Sequence, residues 1–156
     1  MDLHFILSNE TKCFLENNRD KKIVFTNGCF DILHPGHVEY LNDAKKQGHL
    51  LIIGLNSDAS VRRLKGPTRP INNETDRKFM LENLKAVDHV IIFDQETPYE
   101  LIKALRPNVL VKGGDWKIEQ IVGHDIVTSY GGQVKSLLFK EGYSTSNLIK
   151  DLQGKS

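Results

Sequence analysis

Five short, mainly apolar runs, each separated from the next by a stretch of helical periodicity, constrain this chain more than any other feature. They fall at 22–27, 50–56, 89–93, 108–112 and 133–138. A strand with water on one face alternates apolar and polar residues, and runs such as Leu51-Ile52-Ile53 do not. The helical stretches are 38–46, 74–86, 99–105, 119–130 and 145–152. In the second of these, Phe79, Met80, Leu81, Leu84 and Val87 share one face, and Thr75 or Asn73 offers a cap. Pro98 opens the third, and Gly131-Gly132 ends the fourth. Strands covered on both sides and linked by helices imply an α/β, doubly wound, Rossmann-like parallel sheet of about five strands with helices on both faces. At 156 residues the chain is expected to form a single domain. Residues 22–153 are its core and 1–21 an N-terminal helical extension, with a helix over 9–17 capped by Ser8.

Ligands of such folds bind outside the carboxyl ends of the strands. Three segments far apart in sequence should meet there: 28–37 after the first run, 112–116 after the fourth and 141–146 after the fifth. The first reads Gly-Cys-Phe-Asp-Ile-Leu-His-Pro-Gly-His, with His34 and His37 split by Pro35-Gly36 where a strand hands over to a helix N-terminus. That junction suits a polyphosphate. Unpaired backbone N–H groups and the positive end of the helix dipole attract an anion, the imidazoles donate to phosphate oxygens, and Gly36 lets a ligand approach. Two histidines at this spacing could instead ligate a metal. A competent site needs more ligands, and only Cys29 lies near, in a position that reads as tight packing.

Other classes are disfavoured. A net charge of +1 argues against a general nucleic-acid binder. The basic residues that do cluster, Arg62, Arg63, Lys65 and Arg69, form an anion-binding loop or a solvated face. No run reaches the ~18–20 apolar residues that would cross a membrane. The N-terminus lacks the pattern of a secretion signal, and Cys13 and Cys29 make no disulfide framework, so the expected location is the cytoplasm. Neither G-x-x-x-x-G-K-[ST] nor G-x-G-x-x-G after the first strand is present, which disfavours a P-loop kinase and a standard dinucleotide oxidoreductase.

What is present resembles the nucleotidyltransferase superfamily marked by H-x-G-H. It is carried by His34-Pro35-Gly36-His37, by Gly28-Cys29-Phe30-Asp31 before it, and by Gly142-Tyr143-Ser144-Thr145-Ser146 at the last helix. Within that superfamily the chain is similar to the D-glycero-β-D-manno-heptose 1-phosphate adenylyltransferases. The segments that carry this likeness are 25–31, 54–58, 63–66, 69–72 and 111–115. The resemblance implies transfer of AMP from ATP to heptose 1-phosphate, giving pyrophosphate and ADP-heptose for lipopolysaccharide or related glycans. It also implies Mg²⁺ with the ATP, a homodimer, and a separate heptose kinase acting upstream. In that family the domain occurs fused behind a sugar kinase or alone, and this chain looks like the separate form. The glycerol-3-phosphate and ethanolamine-phosphate cytidylyltransferases are the nearest rivals, the glycerol-phosphate type with R-T-x-G-I-S-T-T before the last helix. Here Phe139 stands in place of that arginine, while Tyr143 and Ser146 also depart from the expected pattern. A non-catalytic nucleotide sensor is the alternative of another class.

The resemblance assigns His34 and His37 to the triphosphate, aided by the backbone at Cys29 and Phe30, with Thr26, Asn27, Gly28 and Gly36 shaping that side. Ser144 and Thr145 bind the β- or γ-phosphate, or simply cap the last helix. Lys65 bridges ATP and sugar phosphate, or Arg77 does so. Lys112, Gly113 and Asp115 line the nucleotide side, Asp115 accepting from the ribose, and Trp116 packs near the base or in the core. Asp31 faces the acceptor sugar or orients a histidine.

Overall fold

The structure, a computed structural model, describes residues 5–139 and 144–154. Among these, β1 (Ile23–Gly28), β2 (Leu50–Asn56), β3 (His89–Phe93), β4 (Val109–Gly113) and β5 (Gln133–Leu137) form one sheet in the order β3-β2-β1-β4-β5, every pairing parallel. The helices between them are α1 (Asn9–Asn17), α2 (Pro35–Lys45), α3 (Asp58–Lys65), α4 (Glu74–Glu82), α5 (Tyr99–Leu105), α6 (His124–Ser129) and α7 (Thr145–Gly154).

Successive side chains of each strand enter opposite cores. Val24, Leu51, Ile53, Leu55, Val109 and Val111 pack with Tyr40 and Leu41 of α2 and Leu81 of α4. Phe25, Ile52, Ile91, Phe93 and Leu110 pack with Leu101 and Ile102 of α5 and Val127 of α6. Phe14 and Leu15 of α1 cover the second face, where Phe14 stacks on His89 at 4.7 Å. Both faces are therefore buried, which explains the mainly apolar runs. No described helix is long and apolar enough to cross a membrane.

Three elements differ from their expected form. The helix begun at Glu74 stops at Glu82, and Phe79 and Met80 are exposed, so its inward row is Arg77 and Leu81 rather than the apolar face. Asn73, one of the two expected caps, accepts from the Asp76 N–H. The stretch 119–130 is broken by Gly123, whose φ of +91° and contact with Ile102 interrupt the helical backbone. Only a 3₁₀ turn at Ile118–Gln120 and the short α6 remain. Three of the four residues of the basic cluster lie on a helix, Arg69 following in the loop: Ser57 caps α3, Asp58 sits in its first turn, and Arg62, Arg63 and Lys65 complement the dipole in its last.

Candidate active site

In an open parallel sheet, the crevice forms where connections leave neighbouring strands in opposite directions. Here that point lies between β1 and β4. A cleft of about 490 Å³ opens there, outside the strand ends. Asn27, Gly28, Cys29, Phe30, Asp31 and His37 line it from the first segment, and Lys112, Gly113 and Trp116 from the second. From the third, Thr145 reaches it, with Phe139 just ahead. Gly142 and Tyr143 lie outside the described residues. Two glycines lie in close approach to aromatic rings. A Cβ on Gly28 would sit 2.9 Å from the Phe30 ring, and one on Gly113 would overlap the ring of Phe139.

The histidine pair is built by the start of α2. His34 is the N-cap, and its Nδ1 accepts from the His37 N–H at 3.4 Å. The His37 Nδ1 accepts in return from the His34 N–H at 3.3 Å. The rings stack at 3.8 Å, and Phe30 meets His37 edge-on at 5.4 Å. A neutral imidazole whose Nδ1 accepts must carry its proton on Nε2. The reciprocal cap therefore makes each ring an Nε2–H donor. Burial, then His34 and Lys65, lower the His37 pKa to about 4, and burial lowers that of His34 as well. The pair is thus neutral near pH 7. His37 lines the cleft, whereas His34 is buried against it and is not part of the lining.

Several expected ligand groups are engaged inside the protein. Arg77 is the clearest correction, because its side chain is 0% exposed. Nε donates to Asn72 O, Nη1 to Cys29 O and Asn56 O, and Nη2 to Asp58 Oδ1, all at 2.8–2.9 Å. It ties the loop after β1 to the end of β2, the start of α3 and the approach to α4, and does not line the cleft. Asp31 lines the cleft, but its oxygens receive Arg69 Nε and the N–H groups of Ile71 and Asn72, each at 2.9 Å. Burial by itself would raise its pKa. Those N–H donors and Arg69 outweigh it and hold the carboxyl below its usual value. Asp31 therefore clamps the 69–72 loop from its place in the cleft lining, with no hydrogen bond to either histidine among those described.

Thr26 is buried with its hydroxyl on Tyr40, 2.6 Å away, and Gly36 is buried in α2. Ser144 accepts from the Asn147 N–H, a cap, while Thr145 donates to Ile32 O at 3.1 Å. Asp115 is exposed and outside the lining. Trp116 is exposed too, not part of the core. Its indole N–H donates to Gly113 O, and Lys112 Nζ lies 5.2 Å from its ring.

Lys65 and Lys112 remain as cations lining the cleft, with Arg69 beside them on Asp31. Burial lowers the Lys112 pKa and raises that of Cys29, the latter offset in part by Lys65, Arg77 and Arg69. Sequence reasoning missed Asn56, Leu64, Glu96 and Thr97 as lining residues, since nothing local marks them. For Asn56, Glu96 and Thr97 a position at or just past a strand end was the available signal, whereas Leu64 lies in α3. Among the described residues no three His, Cys, Asp or Glu side chains group to hold a metal.

A parallel sheet whose switch-point cleft gathers the fixed imidazole of His37, at the opening of α2, with Lys65 and Lys112 carries the site of a nucleotidyltransferase. The chain belongs to the cytidylyltransferase-like family, which matches residues 25–151. It is 60% identical over 137 residues to the bifunctional protein HldE of Wolinella succinogenes, covering 88% of this chain and 28% of that protein. The HldE of Syntrophotalea carbinolica is 54% identical over 136 residues, 87% of this chain and again 28% of the relative. The chain thus spans little more than a quarter of the curated relatives it matches. Among solved structures, the lipopolysaccharide core biosynthesis protein of Thermoplasma volcanium superposes with a TM-score of 0.63 at 29% identity. That match covers 80% of this chain and 99% of the other. Pantothenate synthetase of Thermus thermophilus shares the fold alone, with a TM-score of 0.51 at 13% identity over 83% of this chain and 64% of the other.

Proposed function

We propose that this chain transfers AMP from ATP to D-glycero-β-D-manno-heptose 1-phosphate, releasing pyrophosphate and forming ADP-heptose. The observation that carries the reading is the meeting of His37, Lys65, Lys112 and Thr145, from four separate segments, around one cleft. The 60% identity to HldE and the likeness to a lipopolysaccharide core biosynthesis protein support this branch of the family. So does Phe139, which occupies the cleft wall where the cytidylyltransferase pattern has arginine.

The sugar phosphate is ionised at neutral pH, so no base is needed. Its oxygen attacks the α-phosphorus in line, the bond to the bridging oxygen breaks, and pyrophosphate leaves with that electron pair. Catalysis then consists of alignment and stabilisation of charge. The Nε2–H of His37, fixed by the cap, donates to an α-phosphate oxygen that gains charge. His34 holds the tautomer of His37 and the opening of α2. Lys65 lies between the two phosphates, and Lys112 and Gly113 flank the nucleotide. Asn27, Gly28 and the backbone at Cys29 and Phe30 form the floor of the triphosphate site, and Thr145 closes its far side. The triphosphate oxygens and water would hold a divalent ion, expected as Mg²⁺, which would supply charge neutralisation at the pyrophosphate. A soluble pathway of this kind fits the cytoplasm, with a sugar kinase supplying the acceptor and two copies of the chain associating.

Pyrophosphate release tests the reading, with ATP and CTP each offered alongside heptose 1-phosphate and glycerol 3-phosphate. Turnover is expected only with ATP and the heptose phosphate. Release with CTP and glycerol phosphate instead would overturn this branch assignment. His37→Ala should lower kcat by ~10²–10³-fold, the effect of losing one transition-state donor. Near-normal turnover by that folded variant would remove His37 from the mechanism.

A further inference from the structure

The lining of the cleft is uneven in charge. Lys65, Lys112 and Arg69 make it attractive to phosphates, and two carboxylates stand among them, Asp31 and Glu96. Asp31 is consumed by Arg69 and two backbone N–H groups. Glu96, in the loop leaving β3, makes no hydrogen bond or ion pair among the described residues. A polyphosphate would be repelled by a carboxylate with no partner. An uncharged polyol would be drawn to it, because hydroxyl groups donate to a charged acceptor and form short, strong bonds.

The loop carrying Glu96 is not loose. Asp94 at its start accepts from the Ser57 hydroxyl and from Arg63, and the Ser57 N–H donates to Phe93 O at 2.9 Å. Ser57 caps α3 and Lys65 ends it. One frame therefore holds a phosphate-binding cation and an unpaired carboxylate on the same side of the cleft. A single acceptor bearing a phosphate at one end and hydroxyls at the other would engage both.

We infer that the lobe of the cleft beyond β2 and β3 is the acceptor subsite, and that Glu96 selects a polyhydroxylated sugar by accepting from its hydroxyl groups. The inference rests on the transferase reading above and adds the residue that chooses the acceptor. Thr97 supplies a second polar group at the same rim. An acceptor with a second anionic group where the hydroxyls sit is rejected by the same carboxylate.

The test is steady-state pyrophosphate release by the unsubstituted chain, E96Q and E96A. ATP or CTP is supplied with Mg²⁺, and the acceptors are heptose 1-phosphate, glucose 1-phosphate and glycerol 3-phosphate. E96A is expected to raise the KM for the preferred sugar phosphate by roughly 10–100-fold, with the KM for the nucleotide within about twofold. E96Q, which keeps one acceptor oxygen without the charge, should fall between. An unchanged acceptor KM in E96A overturns the inference, and so does a nucleotide KM that rises as much as the acceptor's. If the unsubstituted chain prefers another acceptor, the heptose reading fails while Glu96 is judged on that acceptor. Silence with every pair overturns both.

Discussion

At the scale of single residues, charge alone does not say whether a side chain meets substrate or protein. Arg77 and Lys65 both read as phosphate-bridging cations. Only Lys65 lines the cleft, and Arg77 spends its guanidinium on three carbonyls and Asp58. Removing a buried cation strands its acceptors, so Arg77→Ala should destabilise the fold by about 3–5 kcal/mol. Arg77→Lys should recover only part, because an ammonium does not span partners set by a planar fork. Denaturant midpoints of the two variants check this, and an Arg77→Ala midpoint close to that of the unsubstituted chain would refute the structural role.

At the scale of elements, two helices depend on neutral histidines. The Thr11 hydroxyl receives from Ser8 and pairs with His89 Nε2 at 2.9 Å, the donor set by the tautomer of the ring. Burial is the main reason the His89 pKa lies below 6.5, and the same cause brings His37 to about 4. Groups depressed in this way contribute stability that is complete above pH 6.5 and is lost as pH falls from there through the folded-state values. The melting temperature should therefore begin to fall near pH 6.5, before the carboxylates titrate. Amide exchange in α1 should accelerate over the same range. A melting temperature flat from pH 7 to 5 would contradict the coupling, whereas His89→Gln should flatten the slope and loosen α1 at every pH. Element boundaries were legible where a local signal existed, as with Ser8 for α1 and Asn73 for α4. The exposure of Phe79 and Met80 was not, because the side of α4 that turns inward is decided by where Arg77 finds its acceptors.

At the scale of the whole molecule, the cleft draws its walls from both halves of the sheet, so a nucleotide bound there bridges them. ATP at 100 times its Kd stabilises the folded state by about 2.7 kcal/mol, or roughly 5–10 °C in melting temperature for a chain of this size. A thermal shift titration should give that rise with ATP and Mg²⁺. No shift at saturating ATP would contradict nucleotide binding in the cleft.

Local patterning along the chain specified the parallel sheet, its buried strands and the strand-to-helix junction that carries His34 and His37. Each follows from local periodicity and from turn and cap chemistry, which neighbouring residues suffice to specify. Contacts between distant segments settled which polar groups are spent inside the protein, as with Arg77 and Thr26, and which reach the cleft, as with Lys65 and Glu96. A hydrogen-bond partner tens of residues away leaves no trace in the residues beside it. Whether a charged side chain serves the fold or the ligand therefore depends on contacts that exist only once the chain has closed on itself.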